Sequence, residues 1–363
     1  MPTKTISDSR LREVFARFFP DAASFSSEPY FGGHINRTFF VDAAPSPGAP
    51  SARFVLQAVN KHVFRDYRGL MDNVLRISEH LAGKSRVDPG PDPARDHLHF
   101  FRTADGACGV DAEEGFWRVY RYIPRAEGRS RATSAGEARE AAAAFGRFQR
   151  LLSDIPGPRL VETIPHFHDT RKRFENLERA AAADSEGRLA SCAADLEAFL
   201  ALRPEALKVQ ESFERGEMKE RIVHNDAKLG NVLLDDDTGR AICVIDLDTC
   251  MPGLALHDFG DLMRSMTCDR PEDETDLPLV VARRDFYDGL VEGFFGETES
   301  VLSDAEKKLL PNAGVAITLE TGSRFLADYL EGDHYFRVAR PDHNLVRARS
   351  QLALARSMLE RLA

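Results

Sequence analysis

His224, Asp226, Lys228 and Asn231 stand close together in His224-Asn225-Asp226-Ala227-Lys228-Leu229-Gly230-Asn231. Asp246 and Asp248 follow in Val244-Ile245-Asp246-Leu247-Asp248. An acid, a cation and an amide at this spacing, with further acids beyond, suit phosphoryl transfer. That chemistry needs a carboxylate to orient and deprotonate an attacking hydroxyl, and oxygen ligands for a magnesium ion that bridges the phosphates. Asp226 has the place of the base. Asn231 and Asp246 are the expected metal ligands, because hard magnesium takes carboxylate and amide oxygens. Lys228 can hold a transferring phosphoryl group as a point charge.

The elements that position these residues are short. Arg221-Ile222-Val223 and Ala241-Ile242-Cys243-Val244-Ile245 each read as a buried strand leading into one half of the constellation. Between them Val232-Leu233-Leu234 is a third strand, and Asp235-Asp236-Asp237-Thr238-Gly239 is a turn. Protein kinases carry H-R-D-x-x-x-x-N with a metal-binding Asp further on. Asp226 and Asn231 have that separation, and His224 lies two before the Asp. So short a pattern also arises by chance, and Asp and Asn also make turns. Three polar residues in the right order on a strand-loop-strand-strand frame weigh against that reading.

The chain of 363 residues allows one large or two modest domains, and 43% hydrophobic residues suffice for a substantial core. A formal net charge of -10 argues against a nucleic-acid backbone or an anionic membrane as partner. No apolar signal region opens the sequence and no apolar run would span a bilayer, so a cytoplasmic protein is expected. The five cysteines are scattered without C-x-x-C, which points to neither a disulfide framework nor a zinc site.

Along the chain, residues 8–19 pattern as an amphipathic helix ended by Pro20. Tyr30 to Val41 reads as strand, glycine turn, strand, and Arg53 to Val59 as a strand. Residues 68–82 are helical, and His97 to Arg102 and Phe116 to Tyr122 are strands. Ile123 to Gly128 is a hinge. A capping box, Ser134 with Glu137, opens a helix through Leu152. Helices are expected near 169–182, 186–202 and 205–215. Beyond the catalytic stretch they are expected near 256–267, 283–295, 302–310, 313–332 and 343–362. The fold class is α+β and protein-kinase-like: a small antiparallel-sheet lobe at 1–123, binding nucleotide, and a large helical lobe at 124–363, carrying catalysis and substrate.

Further residues have both a functional and a plain reading. Gly32 and Gly33 could let backbone approach nucleotide phosphates, or simply turn a hairpin; on the first hairpin of such a lobe the phosphate reading gains. Gln57, in Val55-Leu56-Gln57, stands where a kinase strand carries lysine. Lys61 or Arg53 could supply the charge, or Gln57 could meet the phosphates itself. Glu79 reads as an exposed helical residue. His166 and His168 read as solvated loop histidines. Asp248 is a metal or substrate ligand, or a turn cap. Asp258 and Asp261 cap a helix and brace the catalytic loop. Glu320, Arg324 and Asp328 share one helix face, either as a polar sugar site or as a solvated salt-bridge ladder.

The segment His224 to Arg264 resembles the aminoglycoside phosphotransferase and choline kinase superfamily. More narrowly, the chain is similar to the N-acetylhexosamine 1-kinases. The similarity lies in Gly33-His34-Ile35-Asn36, Val55-Leu56-Gln57, Thr170-Arg171-Lys172-Arg173-Phe174, Ile245-Asp246-Leu247-Asp248-Thr249 and Arg324-Phe325-Leu326-x-Asp328-Tyr329. The subgroup has V-L-Q where the superfamily usually has lysine. The resemblance implies ATP and magnesium as cofactors, and a small sugar whose anomeric hydroxyl is phosphorylated. It implies Asp226 as base, Asn231 and Asp246 on metal, and Arg324 and Tyr335 on sugar, with His34 and Asp248 next in line. Competing readings are a kinase for another small alcohol (an aminoglycoside, choline or another sugar) and a non-catalytic kinase-like binding module. The acidic loop Asp269 to Asp276 would favour a cationic alcohol.

Overall fold

The computed structural model describes residues 6–32 and 35–362. Gly33 and His34 lie outside the described residues. The chain separates into two compact units. One takes the residues up to Ala126 with Gly157–Ile164 and Ile245–Cys250; the other takes Glu127–Pro156, Pro165–Val244 and the residues from Met251 on.

The first unit contains α1 (Asp8–Ala16), β1 (Ser26–Tyr30), β2 (Arg37–Ala43), β3 (Ala52–Val59), α2 (Tyr67–Lys84), β4 (Phe100–Phe101), β5 (Val110–Ala112) and β6 (Gly115–Arg121). The strands form an antiparallel sheet in the order β1-β2-β3-β6-β4, with β5 also on β6. Alternating residues of β2, β3 and β6 place Val41, Phe54, Leu56, Trp117 and Val119 in one core, which Leu11, Val14 and Phe15 of α1 cover. Trp117 and Leu56 are completely buried; truncating either to alanine costs about 2–5 kcal/mol. α1 stops at Ala16 rather than at residue 19. Phe18 and Phe19 form a tighter turn, both bonding to Phe15 O, because the residue before a proline is driven out of the helical region. The strand expected over 97–102 pairs only at Phe100 and Phe101.

The two-residue strand β7 (Ala126–Glu127) falls at the boundary. The second unit follows with α3 (Ala135–Leu152), α4 (Thr170–Ala183), α5 (Leu189–Glu214), β8 (Arg221–Val223), β9 (Val232–Asp235), β10 (Ala241–Val244), β11 (Met251–Gly253), α6 (Ala255–Met266), α7 (Arg284–Thr298), α8 (Asp304–Lys308), α9 (Leu310–Leu330) and α10 (His343–Arg361). The capping box expected for α3 is present in part: Ser134 Oγ accepts the Glu137 N–H. α9 is apolar almost all round and packs against α4, α5, α6 and α10, as a helix must when no face is left for water. α5 runs through Pro204, where a break between two helices was expected, and leaves helical geometry instead at Cys192, φ -134 and ψ 16. Proline removes one helical hydrogen bond, but Phe199 before it and Ala206, Leu207 and Val209 after it are all buried, so packing carries the helix past the break.

Candidate active site

The loop from His224 to Asn231 is held by its backbone as much as by its side chains. β8 and β11 pair antiparallel, Val223 opposite Met251, and β8 delivers His224 into the core. His224 is completely buried, with its ring edge-on to Phe145, and its Nδ1 accepts the Asp226 N–H at 3.3 Å. Asn225 turns the chain through a left-handed conformation, φ 63. Asp258, in the first turn of α6, accepts the N–H groups of His224 and Asn225 at 2.9 and 2.7 Å. Gln149 of α3 donates to the same carboxylate at 2.7 Å. Asp258 thus braces the loop, and Asp261 pairs with Arg264 at 2.7 Å. Gly128 lies against the far side: a Cβ there would sit 2.5 Å from Gly230 O, so no side chain fits without moving the turn that carries Asn231.

Asp226 keeps 29% of its side-chain surface, enough for an acceptor to reach it. Lys228 Nζ donates to both of its oxygens, and Asn231 Nδ2 donates to Oδ2 and to the Asp226 carbonyl, both at 2.8 Å. Burial works to raise the Asp226 pKa, but the Lys228 charge and bond, His224 and Asn231 outweigh it and hold the group below the usual carboxylate value. The site therefore offers an ionised carboxylate aimed by its neighbours.

In the first unit, Asp246 is exposed and left-handed, φ 61 and ψ 57, at the start of a 3-10 turn, Leu247–Thr249. Asp248 is 2% exposed. Its Oδ1 lies 2.6 Å from Arg118 Nη1, and its Oδ2 accepts from Asn36 Nδ2 at 2.6 Å. Thr163 Oγ1 donates to its carbonyl. Asp248 is therefore turned into the protein; from sequence it reads as a ligand or a turn cap. Gln57 is likewise internal. Its Oε1 accepts from Arg118 Nε and Nη2 at 3.0 and 2.6 Å, and its Nε2 donates to Thr38 Oγ1 at 2.9 Å. The amide is engaged within the sheet at its oxygen and at its nitrogen. Lys61 is engaged by Asp111, and Arg53 by Asp42 and Glu28. Gly32 is exposed, and a Cβ on it would run into the Tyr30 hydroxyl. Arg118 was missed in the sequence; the signal was a lone cation in the apolar strand Phe116-Trp117-Arg118-Val119-Tyr120.

A second cluster surrounds α9. Arg324 lies over the rings of Phe167, Tyr335 and Phe336, 5.3 to 5.6 Å from their centroids, and its Nη2 is 3.4 Å from the Tyr335 hydroxyl. Tyr335 is 65% exposed. Arg173 donates to Phe167 O from Nε and Nη2; burial and the Arg324 charge pull its pKa down. Of the two readings of the polar face of α9, the solvated salt-bridge ladder does not form among the described residues. Glu320 is buried and bonds His168 Nδ1 at 2.8 Å and Thr170 Oγ1 at 2.8 Å. Asp328 accepts the N–H groups of His334, Tyr335 and Phe336, and so shapes the loop that carries Tyr335. His168 is buried, not solvated, and its Nε2 meets Asn225 O at 3.1 Å. Burial opposes its protonation, but Glu320 prevails and raises its pKa. Burial works to raise the Glu320 pKa, yet His168 and the two arginines drive it to about 2.

The donor chemistry fits magnesium. Asn231 spends its amide nitrogen on Asp226 and has an amide oxygen of the kind magnesium takes, and Asp246, an exposed residue, carries a carboxylate. Among the described residues no group of three His, Cys, Asp or Glu could hold a metal. A phosphate-bound magnesium needs only one or two protein oxygens.

A family model described as "Phosphotransferase enzyme family" matches residues 27–292. The chain belongs to that phosphotransferase family. Its fold is shared with solved structures of low sequence identity. A spectinomycin phosphotransferase in complex with ADP and spectinomycin is 12% identical, with a TM-score of 0.58 over 98% of this chain and 100% of that one. An aminoglycoside phosphotransferase from Alicyclobacillus acidocaldarius is 12% identical, with a TM-score of 0.59 over 99% and 97%. A choline/ethanolamine kinase family protein from Mesorhizobium loti is 15% identical, with a TM-score of 0.54 over 94% and 90%. The phosphotransferase fold is the expected kinase-like one, with a small antiparallel sheet early in the chain and a helical remainder.

Proposed function

We propose that this phosphotransferase moves the γ-phosphoryl group of ATP, with magnesium, to the anomeric hydroxyl of an N-acetylhexosamine. The observation that carries the reading is the Lys228–Asp226–Asn231 constellation on a braced loop. In the step, the sugar oxygen bonds to the γ-phosphorus as the bond to the ADP oxygen breaks. The hydroxyl proton passes to Asp226. An anomeric hydroxyl is more acidic than an ordinary alcohol, so a carboxylate of low pKa is base enough. Lys228 neutralises charge on the transferring group. Asn231 and Asp246 would hold the magnesium, which when bound draws charge off the phosphates. Gly32, and Gly33 outside the described residues, remain the candidates for backbone contact to phosphate.

The acceptor side supports a neutral alcohol. Arg324 presents donors and positive charge beside Tyr335, with the largely buried Arg173 charge near it, which suits hydroxyl and acyl oxygens and repels ammonium groups. The acidic loop that would favour a cation is largely neutralised. Glu272 pairs with Arg264, and Asp273 with Arg340. Coupled ATP turnover over a panel of N-acetylhexosamines, other sugars, aminoglycosides and choline tests this. Turnover confined to aminoglycosides or choline would make the chain a kinase for a cationic alcohol. No turnover with nucleotide bound would make it a binding module.

A further inference from the structure

A kinase strand lysine normally meets the α- and β-phosphates and a helix glutamate. This chain has Gln57 at that position. Directly opposite on the neighbouring strand, in register with Gln57, stands Arg118. Its side chain is 3% exposed, and Nε and Nη2 fork onto Gln57 Oε1 while Nη1 reaches Asp248. The cation near β3 therefore reads a protein carboxylate from inside the sheet. Asp248 is hydrogen-bonded at Oδ2 by Asn36 and at its carbonyl by Thr163, while the charge of Arg118 stands 2.6 Å from Oδ1. Two residues earlier, Asp246 holds a left-handed backbone, a conformation that a non-glycine residue keeps only where its surroundings fix it.

We propose that Arg118 is a positioning residue that replaces the strand lysine by clamping Asp248, and so fixes the bend that presents Asp246 to magnesium–ATP. The inference rests on the phosphotransfer reading of Asp246. Gln57 is the other half of the device: its carbonyl oxygen orients the guanidinium. Installing the usual lysine at 57 removes that acceptor and sets a second cation beside Arg118.

The test is calorimetric binding of a non-hydrolysable ATP analogue to the full chain, with magnesium and with a chelator, alongside thermal unfolding. Lysine cannot copy the fork of Arg118, so Arg118→Lys is expected to weaken the magnesium-supported affinity about tenfold and to change the chelator value little. Gln57→Lys is expected to weaken it as well, not strengthen it. Asn36→Ala removes one bond to Asp248 and leaves the ion pair, so it reports even where Arg118→Lys fails to fold; a loss of about threefold to tenfold is expected. The acceptor KM should hold within about twofold in each folded variant. Variants that melt earlier but keep the wild-type ratio of magnesium to chelator affinity would give Arg118 a merely structural role and overturn the inference alone. A wild-type chain with no magnesium-dependent nucleotide binding would overturn it together with the phosphotransfer reading.

Discussion

Lys228 Nζ sits 3.1 and 2.8 Å from the two carboxylate oxygens of Asp226. The proposed base and its counter-charge are two residues apart on one turn, and the ammonium charge favours the ionised carboxylate.

Asp226→Asn keeps the shape and the Asn231 contact but cannot accept a proton. Turnover is expected to fall by well over about a hundredfold, with nucleotide affinity preserved in calorimetry. Near-normal turnover in this variant would remove Asp226 from the role of base.

Replacing Lys228 by Met takes away the group that most lowers the Asp226 pKa. The acidic limb of the kcat/KM profile should then move to higher pH, because the carboxylate protonates more readily without the ammonium. A limb that stays in place would mean that another group sets it.

Asp246→Ala is expected to weaken magnesium–ATP binding and to leave sugar binding in place. Separate titrations of ATP and sugar at limiting magnesium measure this. An unchanged ATP affinity would count against a metal role.

Arg324→Lys keeps a charge but loses the planar fork. A lost hydrogen bond to a charged group costs about 1.5–3 kcal/mol, so the sugar KM should rise roughly tenfold to a hundredfold, with the ATP KM nearly constant. Steady-state kinetics varying each substrate in turn would expose a silent substitution, which would leave Arg324 as a stacking residue for Phe167 and Phe336.

His168 and the α6 residue His257, whose ring centroids lie 4.8 Å apart, should give the fold a sided pH response. Burial and the neighbouring His168 charge lower His257 from 6.5 to about 3. As pH falls from 6.5, the unfolded chain takes up a proton there that the folded chain refuses until about 3, so stability declines across that window. Glu320, lowered from 4.5 to about 2, adds to the loss below 4.5. His168 has the opposite sign: its raised pKa contributes below 6.5 and is lost as pH climbs through the folded value. Denaturant unfolding at several pH values should show the acid decline, and His257→Asn should flatten it between about 6 and 4. An unaltered slope would place the proton uptake elsewhere.

What the sequence made legible was local. Asp226, Lys228 and Asn231 could be grouped because one loop carries all three, but their spacing does not say that Lys228 and Asn231 both bond Asp226. Gln57 could be flagged as odd but not explained. Its partner is 61 residues away, and only strand register brings them together. Glu320 looked like an exposed helical charge because Arg324 and Asp328 follow at helical spacing. Its true partner, His168, is 152 residues distant, and α9 is buried on nearly every side, where a surface ladder has no place. The return of Ile245–Cys250 to the first unit was illegible for the same reason: nothing in the local pattern records which strand receives Asp248.

The bracing of the proposed catalytic loop also predicts an order of folding. Its supports come from residues 33 and 34 positions later, through Asp258, and 57 positions earlier, through His168, while Gln149 reaches Asp258 across 109 positions. Contacts of such long sequence separation form only after large loops have closed. In refolding, helical circular dichroism should recover first and the geometry around Asp226 last. A chain just released from denaturant would then pass through a helical, inactive stage before it acquires a working carboxylate.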